Sequence, residues 1–101
     1  MFNVDAKNLA VRNNTDAHRF EVTLGETVGV IEYQKRGSTY VFTHTGVPKE
    51  YGGQGVADRL AQVALDTARA EGAQVVPACP FVKAYIQRHK DYQPLVATDH
   101  A

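Results

Sequence analysis

From Tyr51 to Ala57 the chain reads Tyr-Gly-Gly-Gln-Gly-Val-Ala, so Gly52, Gly53 and Gly55 stand immediately before an amphipathic run. Positions without side chains let several backbone N–H groups converge on one point. A helix starting there turns its positive end to the same point, which is how proteins hold pyrophosphate. The segment is a candidate anion site of no familiar nucleotide type, because no Lys-Ser or Lys-Thr follows the glycines and the dinucleotide spacing is absent. Taken alone, so short a motif also reads as a glycine turn that binds nothing. Cys79, the only cysteine, directly precedes Pro80, a residue suited to a first helical position. The positive end of a helix favours a thiolate and can make such a cysteine a nucleophile, although it reads equally as a small buried hydrophobe. His44 lies inside an extended run, and its imidazole exchanges protons near neutral pH. It can serve as a general base or sit as a satisfied sheet histidine. No grouping of His, Asp and Glu has metal-ligand spacing, and no metal is expected.

The elements that must position these residues follow from periodicity. In Arg19–Leu24, Phe20, Val22 and Leu24 alternate with Arg19, Glu21 and Thr23, the pattern of a half-buried strand. Gly25-Glu26 suits a hairpin turn, and Thr27–Tyr33 then sets Val28 and Val30 opposite Gly29, Ile31 and Tyr33. Lys35–Ser38 turns the chain into Thr39–Val47, the most continuous strand. Before Arg19 the signal is weaker: Phe2, Val4, Leu9 and Val11 suit an edge strand, and the Asn-rich stretch after them reads as a loop. From Gly55 the period changes. Val56, Leu60, Val63, Ala64 and Ala68 recur at helical spacing, with Asp58, Arg59, Gln62, Asp66 and Arg69 as a solvated face, and Gly72 ends the helix. The Val-rich Ala73–Cys79 reads as a buried strand returned in parallel by that helix. A second helix begins at Pro80 and ends near His89, whose side chain is placed to cap carbonyls. The order β-β-β-α-β-α predicts an α+β fold: a mixed, mainly antiparallel sheet packed by helices.

Composition sets the limits. With 101 residues, 44% of them apolar and 22% charged, the chain suits one domain burying about 60 to 65% of its unfolded surface. Eleven basic residues balance eleven acidic ones, which removes the electrostatic ground for a nucleic-acid or anionic-membrane partner. A single cysteine, no apolar leader and no run of about 20 apolar residues point to a cytoplasmic protein.

Together, Thr43-His44-Thr45-Gly46-Val47-Pro48, the glycine loop Gly52–Ala57 and the segment Val75–Tyr92 resemble the small, single-domain branch of the GCN5-related N-acetyltransferases, over roughly Arg19 to Val96. The resemblance implies a compact acetyltransferase fold, acetyl-CoA as co-substrate and a primary amine as acceptor. In that family the loop reads Arg or Gln, two variable residues, Gly, one variable residue, then Gly or Ala. Gly52, Gly55 and Ala57 match it, so pyrophosphate binding falls to Gly52, Gly53, Gln54, Gly55, Val56 and Ala57. The preceding strand splays from its neighbour to admit the pantetheine arm, which places Thr45 and Val47 on the cofactor, His44 to Val47 facing Val76 to Cys79 across the gap, and the Val47 N–H near the acetyl carbonyl. The resemblance also assigns thiolate protonation to Tyr85, which otherwise reads as core packing, and puts Cys79 near the CoA sulfur. Two positions depart from the pattern. Gly52 replaces the usual Arg or Gln, and Gly46 stands where this branch is expected to carry an acid, which shifts proton removal to His44 or a water. Full-sized relatives wall the acceptor site with two helices; too few residues precede Arg19 for these, so an open acceptor side suited to a polypeptide amine is expected. A CoA- or acyl-CoA-binding module without turnover is the competing reading, although a pure binder has no need of Cys79 and Tyr85.

Overall fold

A computed structural model describes residues 4–97. Five strands form one sheet in the order β1-β2-β3-β4-β5: β1 Arg12–Asn14, β2 Arg19–Leu24, β3 Thr27–Arg36, β4 Thr39–Gly46 and β5 Gln74–Pro77. The first four are antiparallel, and β5 joins β4 in parallel through helix α1, Val56–Ala70. Helix α2 spans Pro80–Arg88, and short 3-10 turns cover Ala6–Asn8, Lys49–Tyr51 and Lys90–Leu95. The predicted order of the three long strands, two helices and returning strand matches this arrangement.

One face of the sheet carries the core. Phe20, Val22, Leu24, Ile31, Tyr33, Tyr40 and Phe42 are buried against Val56, Leu60, Ala61, Ala64, Leu65 and Ala68 of α1. Ala61 and Leu65 thus join the apolar stripe, while Val63 is only partly buried. The helix stops because the Ala73 N–H donates to the Ala68 carbonyl (2.8 Å) and the Gly72 N–H to that of Arg69 (3.1 Å), closing its last turn. Helices α1 and α2 lie on the same face, joined by an Arg88–Asp58 ion pair (3.7 Å); the Tyr92 hydroxyl, from the turn after α2, donates to Asp66 (2.7 Å). The opposite face, with Thr23, Val28, Gln34, Thr43 and His44 exposed, is covered by no helix among the described residues.

Two sequence expectations fail in the edge region. The edge strand is Arg12–Asn14, inside the stretch read as a loop; Val4, Leu9 and Val11 are partly buried beside the core, and Phe2 lies outside the described residues. The asparagines pair because their side chains have tertiary partners: Asn13 Oδ1 accepts the Tyr33 hydroxyl at 2.6 Å, and Asn14 Nδ2 donates to Glu21 at 3.4 Å. Glu21, on the face expected to be solvated, is only 4% exposed. Arg12 and Arg19 close over it, each with a nitrogen 2.6 Å from a carboxylate oxygen. The Arg19 hydrogen bond, the largest cause, holds the Glu21 carboxyl below the ordinary carboxylate range against the opposing effect of burial.

Candidate active site

The site is built where β4 changes phase. Phe42 pairs with Tyr33 but His44 pairs with Glu32, so Thr43 is an extra residue, a bulge. Before it, Tyr40 and Phe42 point into the core. After it Thr45, opposite Ile31, points to the helix-covered side, and His44 and Gly46, opposite Glu32 and Val30, point to the open face.

The same level ends the β4–β5 ladder. The last register pair is Phe42–Pro77, and the final bond runs from the Cys79 N–H to the Phe42 carbonyl at 2.8 Å. Pro77 has no N–H to continue it, and the Ala78 N–H bonds back to Val76 at 3.0 Å. Beyond Phe42 the edge of β4 that faces away from β3 has no strand partner among the described residues. The gap therefore opens past the Cys79 N–H, three residues later than Val76. Across it the Thr45 hydroxyl stands 3.3 Å from Cys79 Sγ, and Cys79 is 4% exposed.

The glycine loop lies at the open end of this gap. Gly53 and Gly55 have φ of +74° and +86°, conformations that cost a side-chain-bearing residue. Gly52 is extended, and a Cβ there would stand 3.3 Å from the Lys49 carbonyl oxygen, a tight contact that a side chain at this position would have to relieve by a small backbone shift. Gly55 is the N-cap of α1 and supplies no side-chain cap. The amides of Gly53, Gly55, Val56, Ala57 and Asp58 therefore have no backbone or side-chain acceptor among the described residues. A hollow of about 210 Å³ adjoins them, lined by Gly52, Gly53, Gly55, Val56 and Ala57 with Val47, Tyr51, Asp58 and Phe81. Gln54 is not in this lining: its side-chain oxygen accepts the Val4 N–H at 2.9 Å.

The other expected residues are distributed as follows. Tyr85 is 5% exposed in the layer between α1 and α2, its ring stacked 4.0 Å from that of His89 and 6.4 Å from that of Phe81. Its hydroxyl has no hydrogen-bond partner among the described residues, and no described contact joins it to Cys79. Burial first, then the charges of Asp58, Asp66 and Asp91, push its ionisation above the usual phenol range, so it keeps its proton at neutral pH. His89 Nδ1 lies 2.9 Å from the Tyr85 carbonyl, the capping contact anticipated for it. His44 is exposed on the open face, and a Cβ at Gly46 would come within 3.3 Å of its Nε2. The imidazole thus fills the space beside residue 46 that a side chain would take. Thr45 and Cys79 are brought together at the gap; His44 is set on the other side of the sheet. The bulge that separates them leaves no periodicity signal in one sequence, because Thr43-His44-Thr45 reads as uninterrupted strand.

The family model of the GCN5-related N-acetyl-transferases matches residues 19–95. The chain belongs to this family. Among solved structures, this acetyltransferase-family chain is similar to the NMR solution structure of a GCN5-like candidate N-acetyltransferase from Staphylococcus aureus, at 24% identity, TM-score 0.69, covering 93% of this chain and 98% of that one. That likeness shows the fold, a mixed, mostly antiparallel sheet packed by helices. No curated protein matches the sequence. Among the described residues no helix is long and apolar enough to cross a membrane, and no group of three or more His, Cys, Asp or Glu side chains could hold a metal ion.

Proposed function

We propose that this chain is an acetyl-CoA-dependent N-acetyltransferase in which donor and acceptor meet from opposite faces of the sheet. The observation that carries the reading is the opening between β4 and β5, which ends at an α1 N-terminus without a side-chain cap. The amides of Gly53, Gly55, Val56 and Ala57 suit the pyrophosphate, with the positive end of α1 adding to the attraction. Val47 and Phe81 line the hollow that leads from it towards the gap. Along the gap, the unpaired edge from Thr45 to Val47 offers backbone groups to the pantetheine amides, and the Val47 N–H is the nearest candidate for stabilising charge on the acetyl oxygen.

The helix-free face supplies the acceptor side. His44 stands there opposite Glu32, whose carboxylate takes no ion pair among the described residues and suits a cationic amine. His44 takes the proton that the bound ammonium must lose to become a nucleophile, and as the C–N bond forms and the C–S bond breaks the amine's second proton leaves to water. The departing CoA thiolate takes a proton, and Tyr85, held protonated, is the acid assigned to supply it. Cys79 offers a second route through the same groups. Its sulfur bonds to the acetyl carbon, the bond to the CoA sulfur breaks, the thiol proton passes to the CoA thiolate, and the amine then takes the acetyl group from Cys79.

An acetylation assay with acetyl-CoA against an array of lysine-bearing and free-N-terminal peptides, beside a polyamine and a free amino acid, tests the reading. Modified peptides support a polypeptide acceptor; turnover of the small amines alone rejects it. Saturable acetyl-CoA binding with no acceptor turned over identifies a binding module instead. Loss of transfer in Cys79→Ala assigns the route through the cysteine, and unchanged turnover assigns direct attack.

A further inference from the structure

The glycine loop has few bonds of its own. Among the described residues, the backbone–backbone hydrogen bonds between Gly52 and Val56, with its two left-handed glycines, are the Gly52 N–H to the Lys49 carbonyl (3.1 Å) and the Arg59 N–H to the Gly55 carbonyl (3.0 Å). A loop so sparsely bonded loses order easily, and ordering it on binding an anion would cost affinity. Contacts from a distant part of the chain make up the deficit. Residues 4–9 run past the α1 N-terminus, and none of them lines the hollow beside the loop amides. The Val4 N–H donates to Gln54 Oε1 at 2.9 Å, and Arg59 Nε donates to the Leu9 carbonyl at 3.1 Å, each contact spanning 50 positions of sequence. Between them the Ala6 methyl lies 3.4 Å from where a Cβ of Gly55 would be. Ala6 and Lys7 line a separate depression with Gln54, Gly55, Asp58, Arg59 and Gln62, so this contact is made outside the hollow. The segment precedes residues 19–95, the part that the family model matches.

We infer that residues 4–9 are a strap that holds the glycine loop in its anion-receiving shape, with Gln54 and Arg59 as the positioning residues that fasten it. The consequence for acetyl-CoA rests on the function proposed above; the ordering of the loop does not. Gln54 then acts through its side chain outside the hollow, and Arg59, whose guanidinium is committed to Leu9 and to Gln62 (3.2 Å), serves as an anchor. Fastening there leaves the loop amides open to the ligand, which a side-chain cap on Gly55 would not.

Amide hydrogen exchange on the full chain, without ligand, reads this directly in Gln54→Ala, Gln54→Glu and Arg59→Met. The strap requires Gln54→Ala and Arg59→Met to exchange about tenfold faster at the amides of residues 52 and 59, whose bonds to the Lys49 and Gly55 carbonyls close the loop, while amides of Phe42 and Leu60 keep their protection. Gln54→Glu, which still presents an oxygen to the Val4 N–H, restores the slow exchange. In turnover, Arg59→Met raises the KM for acetyl-CoA several-fold and leaves kcat unchanged. Unaltered loop exchange in both disrupting variants overturns the strap, and so does an equal loss of protection at Phe42 and Leu60, which would mark a general structural role. A parent chain that fails to bind acetyl-CoA refutes the proposed function, and the exchange comparison still decides the strap.

Discussion

The two ends of β4 behave as different materials. From Thr39 to Phe42 the strand is paired on both sides, and Tyr40 and Phe42 stack in parallel (5.7 Å, 3°) within an aromatic cluster completed by Phe20 and Tyr33. From Thr43 to Gly46 it is paired only with β3, and it ends two cross-strand rows on the open face, Arg12, Glu21, Val30 and Gly46 in one and Asn14, Arg19, Glu32 and His44 in the next, whose ion pairs join Arg12 and Arg19 to Glu21 on β1 and β2. A one-residue bulge and one proline separate the two regimes. The aromatic half supplies rigidity; the half next to it can leave a backbone edge unpaired because its neighbour secures the strand.

The largest effect that would sharpen this contrast is on stability. Phe42→Ala is expected to cost about 3–5 kcal/mol in denaturant unfolding, and Thr45→Ala, two residues past the bulge, less than about 1 kcal/mol. Equal losses would erase the distinction. Next comes Tyr85→Phe: the hydroxyl makes no hydrogen bond to a described residue, so the melting temperature should hold while kcat falls about 100-fold, the lower range for losing a proton donor. Full turnover in that variant would return Tyr85 to core packing.

Glu21→Gln probes the ionic rows. Replacing a carboxylate bonded to two arginines should cost about 2 kcal/mol at neutral pH. Because folding lowers the ionisation of Glu21, its contribution is present above the ordinary carboxylate value. It is lost as pH falls from there through the lowered folded one. Unfolding midpoints followed from neutral to strongly acid pH should fall more steeply in the parent than in Glu21→Gln; parallel curves would remove the ion cluster from the explanation. The smallest effect is Gly46→Ala. The added methyl presses on the His44 ring, whose tip can move, so stability should change by less than about 1 kcal/mol. Amine turnover should drop severalfold, and unchanged turnover would dismiss His44 as the base.

The sequence was informative where structure is local. Alternation in Arg19–Leu24 and Thr27–Tyr33, helical spacing from Val56 to Ala68, and Pro80 at the start of α2 all place their elements because each burial pattern repeats within a few residues. The glycine loop and Cys79 were legible for the same reason. What escaped depends on distant partners. Asn13 enters a strand because Tyr33 reaches it across β2, and Glu21 is buried because arginines from two strands fold over it. Thr45 rather than His44 faces Cys79 only because Thr43 bulges against Glu32 and Tyr33. Likewise Gln54, read as part of the phosphate loop, spends its side chain on Val4.

The most direct test of the two-ended strand is an NMR titration of the labelled protein with acetyl-CoA. Saturable shifts are expected at the amides of Gly53, Gly55, Val56, Thr45 and Cys79, with Tyr40 and Phe42 unmoved. No shift at millimolar ligand, or shifts centred on the aromatic half, would contradict the assignment of the opened end of β4 as the donor site.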